Sequence, residues 1–351
     1  MIAPLMRLID GFFGRGEAAV TVPPLDGAML PNRALDDAPL RVPVADADCL
    51  AAADGRLYLS AGCAVLVERD GRFVAHRSFD TTVSALAPFA GGLAVALEDG
   101  SLHVEGGRFD GARIDTGLRC ITAIAAEGES ILLANGSERH GPAGWQRDLL
   151  ERGDSGSLWR IAVGTGSSQR IAAGLAWPAG VTVDDHGVVV TEAWRHRIVR
   201  PGGAVLHGDL PGYPGRLAAG SGGYWMTMFA PRSQLVEFVL REPAFRRRMM
   251  AEVPEPYWVA PKLRAGRSFY ESLQGGGVKQ LGILKPWAPT MSAGFCVRLD
   301  RGFQPRASLQ SRADGTTHGV TSAIEHDGAL WAAARGDGVV VRIPLQHGGT
   351  S

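Results

Sequence analysis

The side chains able to do chemistry are few and widely spaced along the chain. Histidine is the side-chain type suited to general-base work at neutral pH, so His318 is the candidate for activating a water molecule, as ester or lactone hydrolysis would require. Asp48 offers a carboxylate, and Thr321 a hydroxyl. Arg216 carries a fixed positive charge that suits either a bidentate contact with Asp48 or a grip on a substrate carboxylate. Trp194, Trp225, Met228 and Phe229 would make an apolar wall for a hydrophobic small molecule. Other chemistries lack their residues: there is no Gly-rich phosphate loop, no serine nucleophile elbow and no Cys/His pair, and Ser221-Gly222-Gly223 reads as a turn. Cys49, Cys63, Cys120 and Cys296 form no CxxC or zinc-type cluster and read as buried free thiols.

A repeat supplies the elements that would position these groups. A polar-Gly turn followed by an apolar strand occurs six times: Asp54-Gly55 then 56–60, Gly91-Gly92 then 93–97, Glu127-Gly128 then 130–134, His186-Gly187 then 188–193, Gly222-Gly223 then 224–228, and Asp327-Gly328 then 329–334. Each turn glycine fits the positive backbone angle of a hairpin, and the Val, Leu and aromatic residues after it fit strands packed on both faces. A small-residue strand precedes each turn (49–53, 83–88, 121–126, 180–184, 216–219, 320–325), and alternating strands follow, such as 64–68, 158–163 and 339–343. Six such units imply an all-β, six-bladed β-propeller with the small-residue strands innermost around a channel. The last unit lacks an outer strand, which residues 39–44 are expected to supply, closing the ring and removing its exposed edge. Asp48, Ser84, Thr122, Ala179, Arg216, His318 and Thr321 are then expected at the channel mouth.

Composition agrees with many short strands and tight turns: 47 glycines and 21 prolines in 351 residues, 45% hydrophobic and 21% charged. Lys plus Arg equals Asp plus Glu at 36 each, so no global field draws the protein to nucleic acid or an acidic membrane. Residues 1–24 read as a tail with a possible short helix, 25–345 as the propeller and 346–351 as a second tail. Residues 1–16 are apolar but interrupted by Arg7 and Asp10, too short to span a bilayer and poor as a signal peptide, so a cytoplasmic location is expected. Asn135-Gly136-Ser137 is read as a turn and not as a glycosylation site.

The fifth unit is interrupted by an insertion over 229–290, read as a helical lid. Within it, 233–250 carries Leu235, Phe238, Val239, Phe245 and Met249 at helical spacing, and the run Arg246-Arg247-Arg248 leaves room for weak contact with a membrane surface.

Gly174-Leu175-Ala176-Trp177-Pro178-Ala179-Gly180-Val181 followed by Thr191-Glu192-Ala193-Trp194-Arg195-His196-Arg197-Ile198 resembles the strictosidine-synthase-like branch of the gluconolactonase and paraoxonase superfamily. Asp148-Leu149-Leu150-Glu151, Leu210-Pro211-Gly212-Tyr213-Pro214, Gly222-Gly223-Tyr224-Trp225 and Glu325-His326-Asp327-Gly328 are similar to further segments in the family's order, and the insertion resembles that of adipocyte plasma membrane-associated relatives. The resemblance implies a six-bladed propeller, and in the calcium-dependent members a channel cation held by carboxylate and asparagine oxygens. This sequence departs from that pattern: Ala179 stands where the asparagine is expected, Gly215-Arg216 where an Asp-Asn pair is expected, and Asp48 alone remains. One carboxylate is a poor calcium ligand set, so no cofactor is expected and calcium is disfavoured. The glutamate that the resemblance to strictosidine synthase would require falls on Thr321, which cannot shuttle a proton near neutral pH, so that condensation is not expected.

Two readings follow. One is a metal-independent esterase- or lactonase-like hydrolase acting on a small hydrophobic, possibly anionic molecule, with His318 as base, Asp48 as a second candidate catalytic group, Arg216 as anion anchor, and Trp194, Trp225, Met228, Phe229 and Thr321 binding substrate. The other is a non-catalytic binding or scaffolding propeller that has lost the superfamily's metal and acid residues. The sequence does not fix the ligand or the oligomeric state.

Overall fold

The computed structural model of the chain describes residues 21–266, 271, 279–280, 283–284 and 291–345. The tail expected over 1–24 and the one over 346–351 therefore lie almost wholly outside the described residues. Six four-stranded antiparallel sheets form a ring. Their innermost strands are Ala47–Ala53, Val83–Phe89, Ile121–Glu127, Pro178–Asp184, Gly212–Gly220 and Val320–His326, numbered here as blades 1 to 6. Each touches the innermost strand of the next blade, and the sixth touches the first, so the ring is closed. Closure uses the N-terminal strand Leu40–Pro43, which pairs antiparallel with Val339–Pro344 as the outer strand of blade 6. That pairing leaves the last sheet with no bare inner edge, as the missing outer strand of the sixth repeat required.

The near-continuous apolar strands are explained by burial on both faces. One face of blade 1 packs Cys49, Ala51, Tyr58, Val65 and Val67 against Val83, Leu86, Leu93, Val95 and Leu97 of blade 2. Its other face packs Ala47, Leu50, Leu57 and Leu59 against Trp331, Ala333 and Val340 of blade 6. Small residues are needed where strands converge at the axis. A Cβ on Gly180 of blade 4 would collide with the Gly215 carbonyl oxygen of blade 5, so only glycine permits that approach.

Each innermost strand has a register shift within its first turn of pairing: between Ala47 and Leu50, Val83 and Ala85, Ile121 and Ala123, Pro178 and Gly180, Pro214 and Leu217, and Val320 and Ser322. A bulge re-aims the side chain of the extra residue. Here the bulges fall at Asp48, Ser84, Thr122, Ala179, Arg216 and Thr321, one per blade, and all six line the axial cavity.

Two connections rise over this end of the ring. Blade 3 carries helix α1 (Trp145–Glu151) between its second and third strands, and blade 5 carries α2 (Gln234–Arg241) and α3 (Pro243–Glu252) at the same point. The single helix expected over 233–250 is thus two, because Pro243 disfavours helical geometry at Glu242 and starts a new helix. Its buried face also differs from the expected one: Val236, Val239 and Met249 are buried, whereas Leu235, Phe238 and Phe245 are exposed. Leu150 of α1 packs with Val239, Met249, Trp258 and Ala260, and Gln146 Nε2 donates to the Pro261 carbonyl at 2.6 Å, joining the two connections into one cap. The cap reaches blade 6 through Leu263, whose carbonyl oxygen occupies the space that a Cβ on Gly336 would need.

All four cysteines are free, but Cys63 is exposed because it follows Gly62 in the turn after the second strand of blade 1; the expectation of four buried thiols fails there. Asn135 ends the second strand of blade 3 instead of lying in a turn; it is buried, accepting from Cys120 N and donating to the Ser137 carbonyl. Among the described residues, no helix is long and apolar enough to cross a membrane.

Candidate functional site at the channel mouth

The axial cavity has a volume of about 450 Å³ and a floor made by the six bulged residues. Arg216 leaves blade 5 and crosses the axis. Its Nη1 and Nη2 donate to Asp48 Oδ1 and Oδ2 at 3.1 and 2.9 Å, a bidentate pair with blade 1. The same nitrogens donate to the Ser84 carbonyl of blade 2 at 2.7 Å and the Thr321 carbonyl of blade 6 at 3.2 Å. One guanidinium therefore ties four of the six blades together. Thr321 adds a bond from its hydroxyl to the Asp48 carbonyl at 2.8 Å. Burial alone would raise the Asp48 pKa, but Arg216 and then Arg335 outweigh it and hold the carboxyl below its ordinary range. Burial likewise disfavours charge on Arg216, and Asp48 more than reverses that, leaving the guanidinium firmly protonated.

A hard divalent cation would need several oxygens free to converge on it. At this position the single carboxylate and the carbonyls of Asp48, Ser84 and Thr321 already accept from Arg216, and Ala179 supplies no oxygen from its side chain. The donor set does not fit calcium. Among the described residues no three His, Cys, Asp or Glu side chains gather in a way that would hold a metal.

Above the floor, the lining divides by blade. Trp145, Trp177 and Phe229, with Pro142 and Ala143, line the side over blades 3 to 5, and Leu263 reaches across to blade 6. Asp46, Thr82, Glu98 and Arg335 line the side over blades 6, 1 and 2. Trp177 sits at φ 53°, a rare conformation for a bulky residue, and is held there by stacking on Trp194 at 5.1 Å and by the bond from Ala193 N to its carbonyl. Trp145 meets Phe229 edge-on at 5.6 Å.

The expected site residues are only partly brought together. Asp48, Arg216, Phe229 and Thr321 line the cavity. Trp194 stands one layer behind, stacked on Trp177 and donating its Nε1 to Asp148 Oδ1 at 2.7 Å. Met228 is buried between blades, packed with Met226 and Phe295, and Trp225 is buried between blades 5 and 6, with Nε1 on Glu325 at 2.7 Å. Strand side chains alternate between the two faces of a blade, so only the upper end of that strand, at Phe229, reaches the mouth.

His318 is also placed elsewhere. It is fully buried, its Nε2 lies 2.7 Å from the Arg312 carbonyl, and its Nδ1 lies 2.9 Å from Ser292 Oγ. A carbonyl only accepts, so Nε2 carries a proton and donates it to Arg312, while Nδ1 is engaged by the serine. With both nitrogens engaged and no part in the lining, His318 is not positioned to activate water in the cavity. Trp145, Trp177, Glu98, Asp46 and Arg335 are among the lining residues that the sequence did not point to; of these five only Trp177 carried a signal, inside the Gly174-Leu175-Ala176-Trp177 segment.

Fold and site together define a six-bladed propeller with an axial pocket at one end. No protein-family model matches the sequence, and no curated protein matches it. Among solved structures the fold is similar to luciferin-regenerating enzyme, at 11% identity and a TM-score of 0.50 over 87% of this chain and 93% of that one. A nidogen/laminin complex (15% identity, TM-score 0.40, 52% of this chain and 72% of that one) and the computationally designed Ika4 protein (17%, 0.33, 46% and 89%) overlap less. At these identities the likeness extends to the propeller architecture alone.

Proposed function

We propose that the chain is a strictosidine-synthase-like propeller that works without a divalent metal and holds a small amphipathic molecule in its channel mouth. The observation that carries this reading is the divided cavity: an aromatic wall of Trp145, Trp177 and Phe229 faces an arc of charged side chains over a floor sealed by Arg216 and Asp48. A volume of about 450 Å³ is suited to a small molecule, and concave, mostly apolar sites with a few placed polar groups are the usual form of such sites. The test is ligand-induced thermal stabilisation by arylalkyl compounds. Stabilisation that persists with a chelator and is lost in Trp177→Ala supports the reading; a response that vanishes with chelator contradicts it.

Hydrolysis of an ester or lactone is a second reading, favoured by Glu98. This half-buried carboxylate lines the cavity and has no ion-pair partner among the described residues. As general base it would take a proton from water as the oxygen attacks the ester carbonyl carbon, then return it to the departing alkoxide. Turnover of aryl esters or lactones that survives chelator and falls about a hundredfold in Glu98→Gln supports the enzyme. No turnover in the presence of clear ligand-induced stabilisation supports a binding protein.

A further inference from the structure

Arg216 cannot readily serve a ligand, because both of its terminal nitrogens already donate to Asp48 and to backbone carbonyls. Arg335 stands differently. Its guanidinium lies 3.7 Å from Asp48 Oδ1, beyond hydrogen-bond length, and its side chain is 42% exposed in the cavity lining. No other side-chain partner of Arg335 occurs among the described residues. The two guanidinium charges stand against one Asp48 carboxylate, a net charge of +1 over these three groups, and Arg335 carries it on the blade 6 side.

The backbone holds Arg335 in a repeated position. It follows the second strand of blade 6 (Ala329–Ala334), and its N–H donates to the Gly319 carbonyl. Glu98 follows the second strand of blade 2 (Gly92–Leu97), and its N–H donates to the Thr82 carbonyl in the same way. Equivalent positions on the two blades that flank blade 1 therefore carry opposite charges, with Asp46 of blade 1 between them. A ligand with one carboxylate has one favourable orientation, toward blade 6. A second carboxylate would face Asp46 and Glu98, and like-charge juxtaposition is a standard means of rejecting a wrong ligand.

We infer that Arg335 selects the ligand's acidic group: the mouth takes aryl monocarboxylates, with the ring against Trp145, Trp177 and Phe229 and the carboxylate on Arg335, and it rejects dicarboxylates through Asp46 and Glu98. This rests on the proposed reading of the mouth as a small-molecule site. The experiment is calorimetric titration of the full chain with 3-phenylpropionate, its neutral amide 3-phenylpropionamide, and phenylsuccinate. A charge-assisted bond supports a preference of about tenfold for 3-phenylpropionate over the amide. Arg335→Gln removes that preference while amide binding stays within about twofold, and Glu98→Gln improves phenylsuccinate binding. Equal binding of acid and amide by the unmodified protein, or a preference that survives in Arg335→Gln, overturns the role of Arg335 and leaves the ligand site standing. Failure of all three compounds to bind overturns both.

Discussion

The channel mouth is built in two arcs that share one floor and differ in everything above it. Over blades 3 to 5 the lining is aromatic, and two of its three rings stand beside connections that carry helices: Trp145 opens α1 and Phe229 lies near the end of the strand that leads to α2, whereas Trp177 lies in the short link before the innermost strand of blade 4. Over blades 6, 1 and 2 the connections are short turns, and the lining is Arg335, Asp46, Thr82 and Glu98. The repeat fixes where a side chain enters the channel, through the bulge that starts each innermost strand. The connection above each blade decides what chemistry surrounds it. Propellers commonly place function on such loops over a rigid frame.

The largest expected effect comes from cutting the tie between the arcs. Arg216→Ala leaves Asp48 buried with only the more distant Arg335 and removes bonds to blades 1, 2 and 6. Breaking a buried pair from one side costs about 3–5 kcal/mol. Urea unfolding should show that loss, and the double change Asp48→Leu with Arg216→Met should recover part of it, since no charge is then stranded. A single-variant loss under about 1 kcal/mol would mean the two arcs are held together by packing alone.

An intermediate effect appears in acid. Because Asp48 titrates below its ordinary value of 3.8 in the folded protein, its contribution is complete above that pH and is lost as pH falls through the lower folded value. The unmodified protein should therefore weaken on going from pH 5 to pH 2.5 by more than Asp48→Asn does, as read from urea midpoints. Parallel curves for the two proteins would contradict the charged state of the pair. The smallest effect is expected from His318→Gln. Its ring bonds hold the segment between blades 5 and 6, so stability should fall modestly while the pH dependence of ligand binding stays unchanged. A binding profile that loses a step near neutral pH in this variant would return His318 to the site.

The sequence made the floor legible and the walls largely illegible, for a physical reason. Glycine turns and apolar strands recur because every blade solves the same packing problem, so Asp48, Ser84, Thr122, Ala179, Arg216 and Thr321 could be aligned by position within the repeat. His318 was misplaced because it precedes Val320, before the bulge, in the connection from blade 5. Met228 and Trp225 were misplaced because both faces of a propeller blade are buried, so an aromatic or sulfur side chain beside the channel strand faces a neighbouring blade. Trp145 sits in a connection with no periodic pattern; Glu98 and Arg335 hold equivalent places just after the second strands of blades 2 and 6, where the strand pattern has already ended, and the meeting of all three in one cavity depends on ring closure. The break between α2 and α3 was marked by Pro243 but overridden by the apolar spacing on either side of it.

The claim on which all of this turns is that a guanidinium stands on the propeller axis in the place a divalent ion would need. Crystallography of the protein grown in millimolar calcium tests it most directly. The account predicts flat density for Arg216 in bidentate contact with Asp48 and carbonyl contacts to blades 2 and 6. A spherical ion coordinated by Asp48, with Arg216 turned away from the axis, would contradict it.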